Sequence, residues 1–456
     1  MEIERGQRLF IRTKTTGYAV VLGTGIVALG TIRCYAQAGL RVVHLTTKKD
    51  DIAGYSRYIA HRYVVPSPDT DPAGLLRLLT GELPVWPDAV LDPVNDPGVV
   101  FVSQHHDALS ARYHVTVPPW DIVHGIIDKK RLYQRACQLG IPAPRISNHE
   151  STEDLARIAG QLVYPCIIKP TQTPDFFAIY NKKALVAENA ESLIKQYRDV
   201  EQHHLDVMVS EIIPGPEENL VAYICHLDDH QAVLAELCVQ KIRQHPADFG
   251  YGVVKRTIPM IAEARDAALS LLRAHAYTGF STTEFKWDDR DSKYKLIEIN
   301  TRQVSYAHLF ASATINFPEI MYRDKVEKRK EFDTDYRSGV YWINPADDLY
   351  EYRRRRRLPG FSASNFLRPY FAKSKVFALN PLDDLRPFIK WIARLGSMIL
   401  KKLHAAGAGP GGRLADGHPM KPADKRGHRE LITKSQVAPR HSSVQAPRIE
   451  KNRPAS

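Results

Sequence analysis

Apolar and polar positions alternate along this 456-residue chain in blocks whose rhythm changes near residue 125. The first block opens with the apolar run "YAVVL" at residues 18–22, long enough for one buried strand. Ile26, Leu29, Ile32 or Arg33, and Ala36 then recur at helical spacing, and Gly39 supplies a C-terminal stop. "RVVHLTT" reads as a second strand, and "AVLDPVN" and "VVFVSQ" as two more. Strands alternating with helices predict an α/β domain with a parallel, doubly wound sheet over residues 1–125.

The second block, residues 126–345, reads as α+β. "DKKRLYQRACQLG" predicts a helix, "IPAP" a stiff connector and "LVYPCIIKP" a strand. After a helical stretch at 190–204 come three strand-like runs, "DVMVSEII", "NLVAYICHL" and "AVLAELCVQKIR". "RDAALSLLRAHAY" is a helix, and "STTEFKWD" and "KYKLIEINTR" form a hairpin joined by "DRDS". Residues 346–403 are a C-terminal extension ending in a basic amphipathic stretch at 385–403. There Phe388, Ile392, Leu395 and Ile399 fall on one face, with Arg386, Lys390, Arg394 and Lys401 interspersed. Packing of that face on the protein body is the preferred reading, and peripheral contact with an anionic membrane is the other.

Charge changes the picture only locally. The net +12 is uneven, since residues 404–456 carry ten Lys or Arg against four Asp or Glu in a Gly-, Pro-, Ala- and Ser-rich stretch read as a disordered tail. The run Arg353–Arg357 is read as a solvated segment in preference to a nucleic-acid contact. No apolar run approaches the length of a membrane span, and no signal peptide is recognisable. The five cysteines lack CxxC spacing, which suits a reducing cytoplasm and argues against disulfides or zinc.

Gly23, Gly25 and Ala28 satisfy the G-x-G-x-x-G/A fingerprint between a strand and a helix. A dinucleotide site also needs an acid at the end of the next strand, where this chain has His44, Thr46 and Thr47, with Asp50 and Asp51 arriving late behind two lysines. A turn that merely lets strand and helix pack closely is therefore favoured over an NAD(P)-dependent oxidoreductase.

Stronger chemistry lies in the hairpin. Residues two apart on a strand share a face, so Glu298 and Asn300 point one way with Arg302 beyond, and Glu284 falls opposite Glu298 give or take one residue. Two carboxylates about 5 Å apart repel by about 3 kcal/mol at an effective dielectric near 20. A cation removes the conflict, and an all-oxygen set of Glu284, Glu298 and Asn300 suits Mg²⁺ or Mn²⁺ with positions left for phosphates. A solvated strand face with Lys286 and Arg302 as partners is the plainer alternative. Lys129 sits at a helix start, the end less favourable to a cation, which an anionic ligand would explain. Lys169 ends a strand, Glu211 precedes the turn "IIPGPEEN" with Glu217 and Glu218, and Lys241 and Arg243 share a strand face before a glycine-bearing loop.

In this order the motifs "DKK…GIPAP", "YPCIIKP", "VSEIIPGPEEN", "TTEFKWD" and "IEINTR" resemble the ATP-grasp superfamily over about residues 18–345. "CVQKIRQHPADFGYG" is similar to its carboxylate–amine ligase branch, that of the D-aspartate ligases. The resemblance implies a Rossmann-like N-terminal domain followed by a two-subdomain ATP-grasp module, with ATP and Mg²⁺ (or Mn²⁺) as cofactors. It implies that Lys129 and Lys169 contact phosphates, that Glu211 and the Ile213 backbone meet adenine, and that Glu218, or else Glu217, meets the ribose. Glu284, Glu298 and Asn300 would hold metal; Arg302 with Lys241 or Arg243 would neutralise the transferred phosphate. The substrates would be a carboxylic acid and an amine, amino acids among them, or a non-amine acceptor in the alternative reading. The enzyme would be cytoplasmic, with a homodimer as its assembly. The loop after Lys169 lacks the glycine-rich phosphate flap of many members.

Overall fold

The computed structural model describes residues 17–147, 149–170, 176, 179–182, 184–247 and 249–407, with backbone alone from 398 to 407. The described residues up to Gly396 form one compact unit. The tail beyond 407 and most of the loop after Lys169 lie outside the described residues.

The first block builds a five-stranded sheet from β1 (Tyr18–Leu22), β2 (Arg41–Thr46), β3 (Ile59–Val64), β4 (Val90–Pro93) and β5 (His114–Val115). Their order is β3-β2-β1-β4-β5, all parallel. The near-continuous apolar runs of β1 and β2 follow from burial on both faces. One face packs Ala19, Val21 and Val42 against Leu29, Ile32 and Tyr35 of the helix Gly25–Gln37. The other packs Val20, Leu22 and Val43 against Val99 and Val102. Those two valines belong to "VVFVSQ", which is the helix Asp96–Gln104 and not the expected strand. Asn95 caps it by accepting from Gly98 N at 2.9 Å, and Pro97 sits in its first turn. That start signal overrides the β propensity of the valines.

The second block contains two sheets. The smaller is antiparallel, ordered β7-β6-β8, from β6 (Cys166–Pro170), β7 (Leu185–Ala187) and β8 (Val207–Glu211). Its core joins Cys166, Ile168 and Val209 to Leu155, Leu193 and Val200 of the helices Thr152–Ile158 and Ala190–Gln202. The larger comprises β9 (Leu220–Leu227), β10 (Val233–His245), β11 (Tyr251–Ile258), β12 (Gly279–Asp288), β13 (Lys293–Asn300), β14 (Tyr341–Ile343) and β15 (Lys375–Phe377). Their order is β13-β12-β9-β10-β11-β14-β15. The sheet does not stop at residue 345, because β15 pairs in parallel with β14.

Of the basic run, Arg353, Arg354, Arg356 and Arg357 are exposed, as expected of a solvated segment, and Arg355 is half-buried. Arg353, Arg354 and Arg355 end the helix Pro345–Arg355, whose Glu351 accepts from Arg354 and Arg355. The last helix, Leu385–Gly407, turns Phe388 and Trp391 onto the N-terminal core, and Lys390 and Arg394 both pair with Asp50. Ile392, expected on the packed face, is exposed, as are Leu385 and Ile389. Among the described residues no helix is long and apolar enough to cross a membrane.

Candidate active site

The glycine turn is closed by the protein itself. Gly23 and Gly25 take positive φ (149° and 76°), and a Cβ on Gly23 would lie 2.6 Å from Val94 Cγ2. The Gly25 amide donates to Asp51 Oδ1 at 2.9 Å, and His44 Nε2 is 2.9 Å from the Gly23 carbonyl. A carboxylate thus occupies the place at the helix N-terminus where a dinucleotide would offer a phosphate. The turn serves packing, and Ile26 and Val27 just after it face the cleft described next.

That cleft, about 1340 Å³, is lined by every predicted site residue except Arg243. It exceeds the 300–1,000 Å³ usual for one small ligand and has room for a nucleotide together with a second substrate. Its floor is the β12–β13 hairpin, whose register sets Glu284 directly across from Glu298. A bulge follows, so Ile297 has no opposite residue and lines the cleft, although strict alternation with Glu298 would turn it into the core beside Ile299.

The charges around the hairpin explain how two facing carboxylates coexist. Lys129 Nζ is 3.5 Å from Glu298 Oε2, and the Asn300 amide donates to Glu298 Oε1 at 3.2 Å. Burial alone would raise the Glu298 carboxyl; Lys129, the Asn300 amide, Lys241 and Arg302 outweigh it and hold the group at about 2. Glu284 is flanked by two ammonium groups, Lys241 and Lys255, each at 3.7 Å. Burial pushes both lysines down from the usual range. Lys169 is lowered to about 8, by burial first and by the charge of Lys129 second. Among the described residues no three His, Cys, Asp or Glu side chains converge as a metal cage. Magnesium needs none, since it is commonly held by one or two carboxylates with water and substrate phosphates completing its shell. Asn300 fits such a set, because its nitrogen bonds Glu298 and leaves the carbonyl oxygen to coordinate.

Ile167, Ile213, Leu220 and Ile297 give the same cleft apolar lining, and Glu211 lines it too. The Glu211 carboxylate is already engaged, with Oε1 accepting from Arg145 N at 3.0 Å and Oε2 paired to Arg290 at 3.0 Å. Glu217 is engaged too, by a two-pronged bond from Arg355 at 2.7 and 2.8 Å. Glu218 lines the same cleft and is exposed. Arg302 reaches back to the first block and grips Asp96 through Nε and Nη2 at 2.5 and 3.1 Å.

Arg243 is the correction. It lies on β10, where the strand's bulges turn it away from Lys241. Its guanidinium makes paired 2.8 Å bonds with the fully buried Asp348 and stacks 3.8 Å from the Phe366 ring centroid. It therefore ties the helix Pro345–Arg355 to the sheet and does not face the cleft. Sequence reasoning missed Lys255, Asp96, Asn344 and Arg355 as cleft residues. A signal existed for Lys255: a hairpin centred near residue 248 sets it opposite Lys241, as observed.

No protein-family model matches the chain. It is 22% identical over 337 residues to the D-aspartate ligase of Enterococcus faecium, covering 70% of this chain and 78% of that protein. The L-amino acid ligase of Bacillus licheniformis superposes with a TM-score of 0.55 at 16% identity, over 72% of this chain and 79% of that one. The biotin carboxylase domain of Hydrogenobacter thermophilus 2-oxoglutarate carboxylase, solved with MgADP and bicarbonate, gives 0.55 at 17% identity over 72% and 74%.

Proposed function

We propose that this chain is an ADP-forming ATP-grasp ligase of the carboxylate–amine branch. An oxygen of the substrate carboxylate attacks the γ-phosphorus of ATP and ADP leaves. The amine then attacks the acyl carbon, phosphate departs with the bonding electrons, and the amine loses a proton. No protein nucleophile is needed, so positioning and charge neutralisation carry the catalysis.

Lys129 and Lys169 would grip the phosphates. The apolar lining of Ile167, Ile213, Leu220 and Ile297 would take the adenine, with the Ile213 backbone meeting its edge. Glu218 is the ribose partner on this reading, because Arg355 already holds Glu217. Glu284, Glu298 and the Asn300 carbonyl oxygen would hold Mg²⁺ or Mn²⁺, which supplies neutralisation of the phosphate charge. Lys241 and Arg302 would stabilise the transferred phosphoryl group, Arg302 being oriented by Asp96. Residues 1–125 serve as a Rossmann-like wall and 126–345 as the ATP-grasp module. Residues 346–403 finish the larger sheet. Free amino acids and a cytoplasmic setting are the substrates and location we favour.

The observation that carries this reading is the facing pair Glu284–Glu298, set among lysines in a cleft that also has apolar lining. A screen for ADP release over pools of amino acids and carboxylic acids, with Mg²⁺, tests it. One or more pools should raise ADP release well above the ATP-only rate; NADH or NADPH turnover without ATP would contradict it.

A further inference from the structure

We propose that Lys255 is a catalytic residue that binds the transferred phosphoryl group, doing with Lys241 what the sequence suggested for Arg243. This deepens the ligase reading and rests on it.

Lys241 and Lys255 stand directly opposite each other on β10 and β11. Like charges opposed across a strand pair are destabilising. Both side chains are buried and both line the cleft. Each lies 3.7 Å from a different oxygen of Glu284, so one carboxylate is shared between two cations and one positive charge is left over. Lys286, also in the cleft, adds to that surplus. The aromatic ring of Tyr306 lies 3.7 Å from Lys255 Nζ, and the buried Tyr306 hydroxyl has no hydrogen-bond partner among the described residues. An ammonium group seated between a ring face and a carboxylate is held in one place. The arrangement suits an incoming anion that brings charge and oxygen acceptors together, as the γ-phosphoryl group does and as ADP lacking it does not.

The structure offers a way to move this lysine without deleting its charge. A Cβ on Gly252 would fall 2.3 Å from Lys255 Cε, the flexible end of the side chain. Gly252 has no positive φ, so alanine suits its backbone and the lysine is what gives way.

Calorimetric titration of the full-length protein with MgADP and with Mg–AMP-PNP, a non-hydrolysable ATP analogue, tests the proposal. In wild type the analogue should bind more tightly than MgADP. In Lys255→Met and in Gly252→Ala, MgADP affinity should change by less than about twofold while the analogue weakens about tenfold or more, and ADP release should fall about 10²-fold, as for loss of one oxyanion-stabilising donor. A variant that retains the wild-type ratio of the two affinities, or weakens both ligands equally, overturns the role of Lys255 and leaves the ligase reading standing. Wild-type protein that binds neither nucleotide overturns the ligase reading and this proposal together.

Discussion

Replacing Glu298 by glutamine removes a charge at nearly constant volume and separates two accounts of the hairpin. In wild type the carboxyl is held at about 2 against an ordinary 4.5. At about 1.4 kcal/mol per tenfold change in acidity, that gap is about 3 kcal/mol. A third of the side chain is open to solvent, so screening leaves about 1–2 kcal/mol. Because the folded value lies below the unfolded one, this stability is present above pH ~4.5 and is lost as pH falls towards 2. At neutral pH, Glu298→Gln should therefore melt only about 1–2 °C below wild type. The larger effect should appear with nucleotide. At a hundredfold excess over Kd, MgADP should stabilise wild type by about 2.7 kcal/mol. The variant should show the same, smaller shift with or without Mg²⁺, and its ADP release should fall at least about 10²-fold. Thermal melts with ADP, with and without Mg²⁺, alongside a coupled ADP assay, read all three quantities. A variant that keeps the Mg²⁺-dependent increment would show that Glu298 does not hold the cation, and that the hairpin is only a solvated strand face.

Asp348→Ala strands the buried Arg243 guanidinium and should cost about 3–5 kcal/mol by chemical denaturation. Any folded fraction should retain the wild-type ratio of AMP-PNP to ADP affinity, since Arg243 does not face the cleft. Phosphate brought beside Lys169 favours its charged form and raises it from about 8, so MgADP binding near pH 8 should take up protons. Calorimetry in buffers of different ionisation enthalpy measures that uptake, and proton release would contradict the placement. Asp51→Ala should destabilise the protein by about 1–3 kcal/mol through loss of the bond to Gly25, yet confer no NADH binding by fluorescence titration.

The ordered motifs made the cleft legible in the sequence because it is assembled largely from local units. The hairpin register followed from period-two spacing and a short turn, and it set Glu284 across from Glu298 as expected. The parallel first sheet followed from apolar runs separated by helical spacing. What escaped depended on contacts remote in the chain or on local irregularity. The Asp96–Arg302 grip joins residues 206 positions apart, and Arg355 reaches Glu217 from a run read as solvated. Bulges redirected Arg243 and Ile297, and no alternation pattern reports a bulge. "VVFVSQ" was misjudged by weighing its valines above the Asn-Asp-Pro start signal before it. The amphipathic stretch was read correctly as packing on the body, although Phe388 and Trp391, and not Ile392, form the inward face.

A crystal structure with AMP-PNP and Mn²⁺, read through its anomalous difference map, bears most directly on the account. The peak should lie between Glu284 and Glu298, within about 2.2 Å of carboxylate oxygens, with adenine against Ile213 and Ile297. Nucleotide bound at the Gly23–Gly25 turn, or no anomalous peak between the two carboxylates, would contradict it.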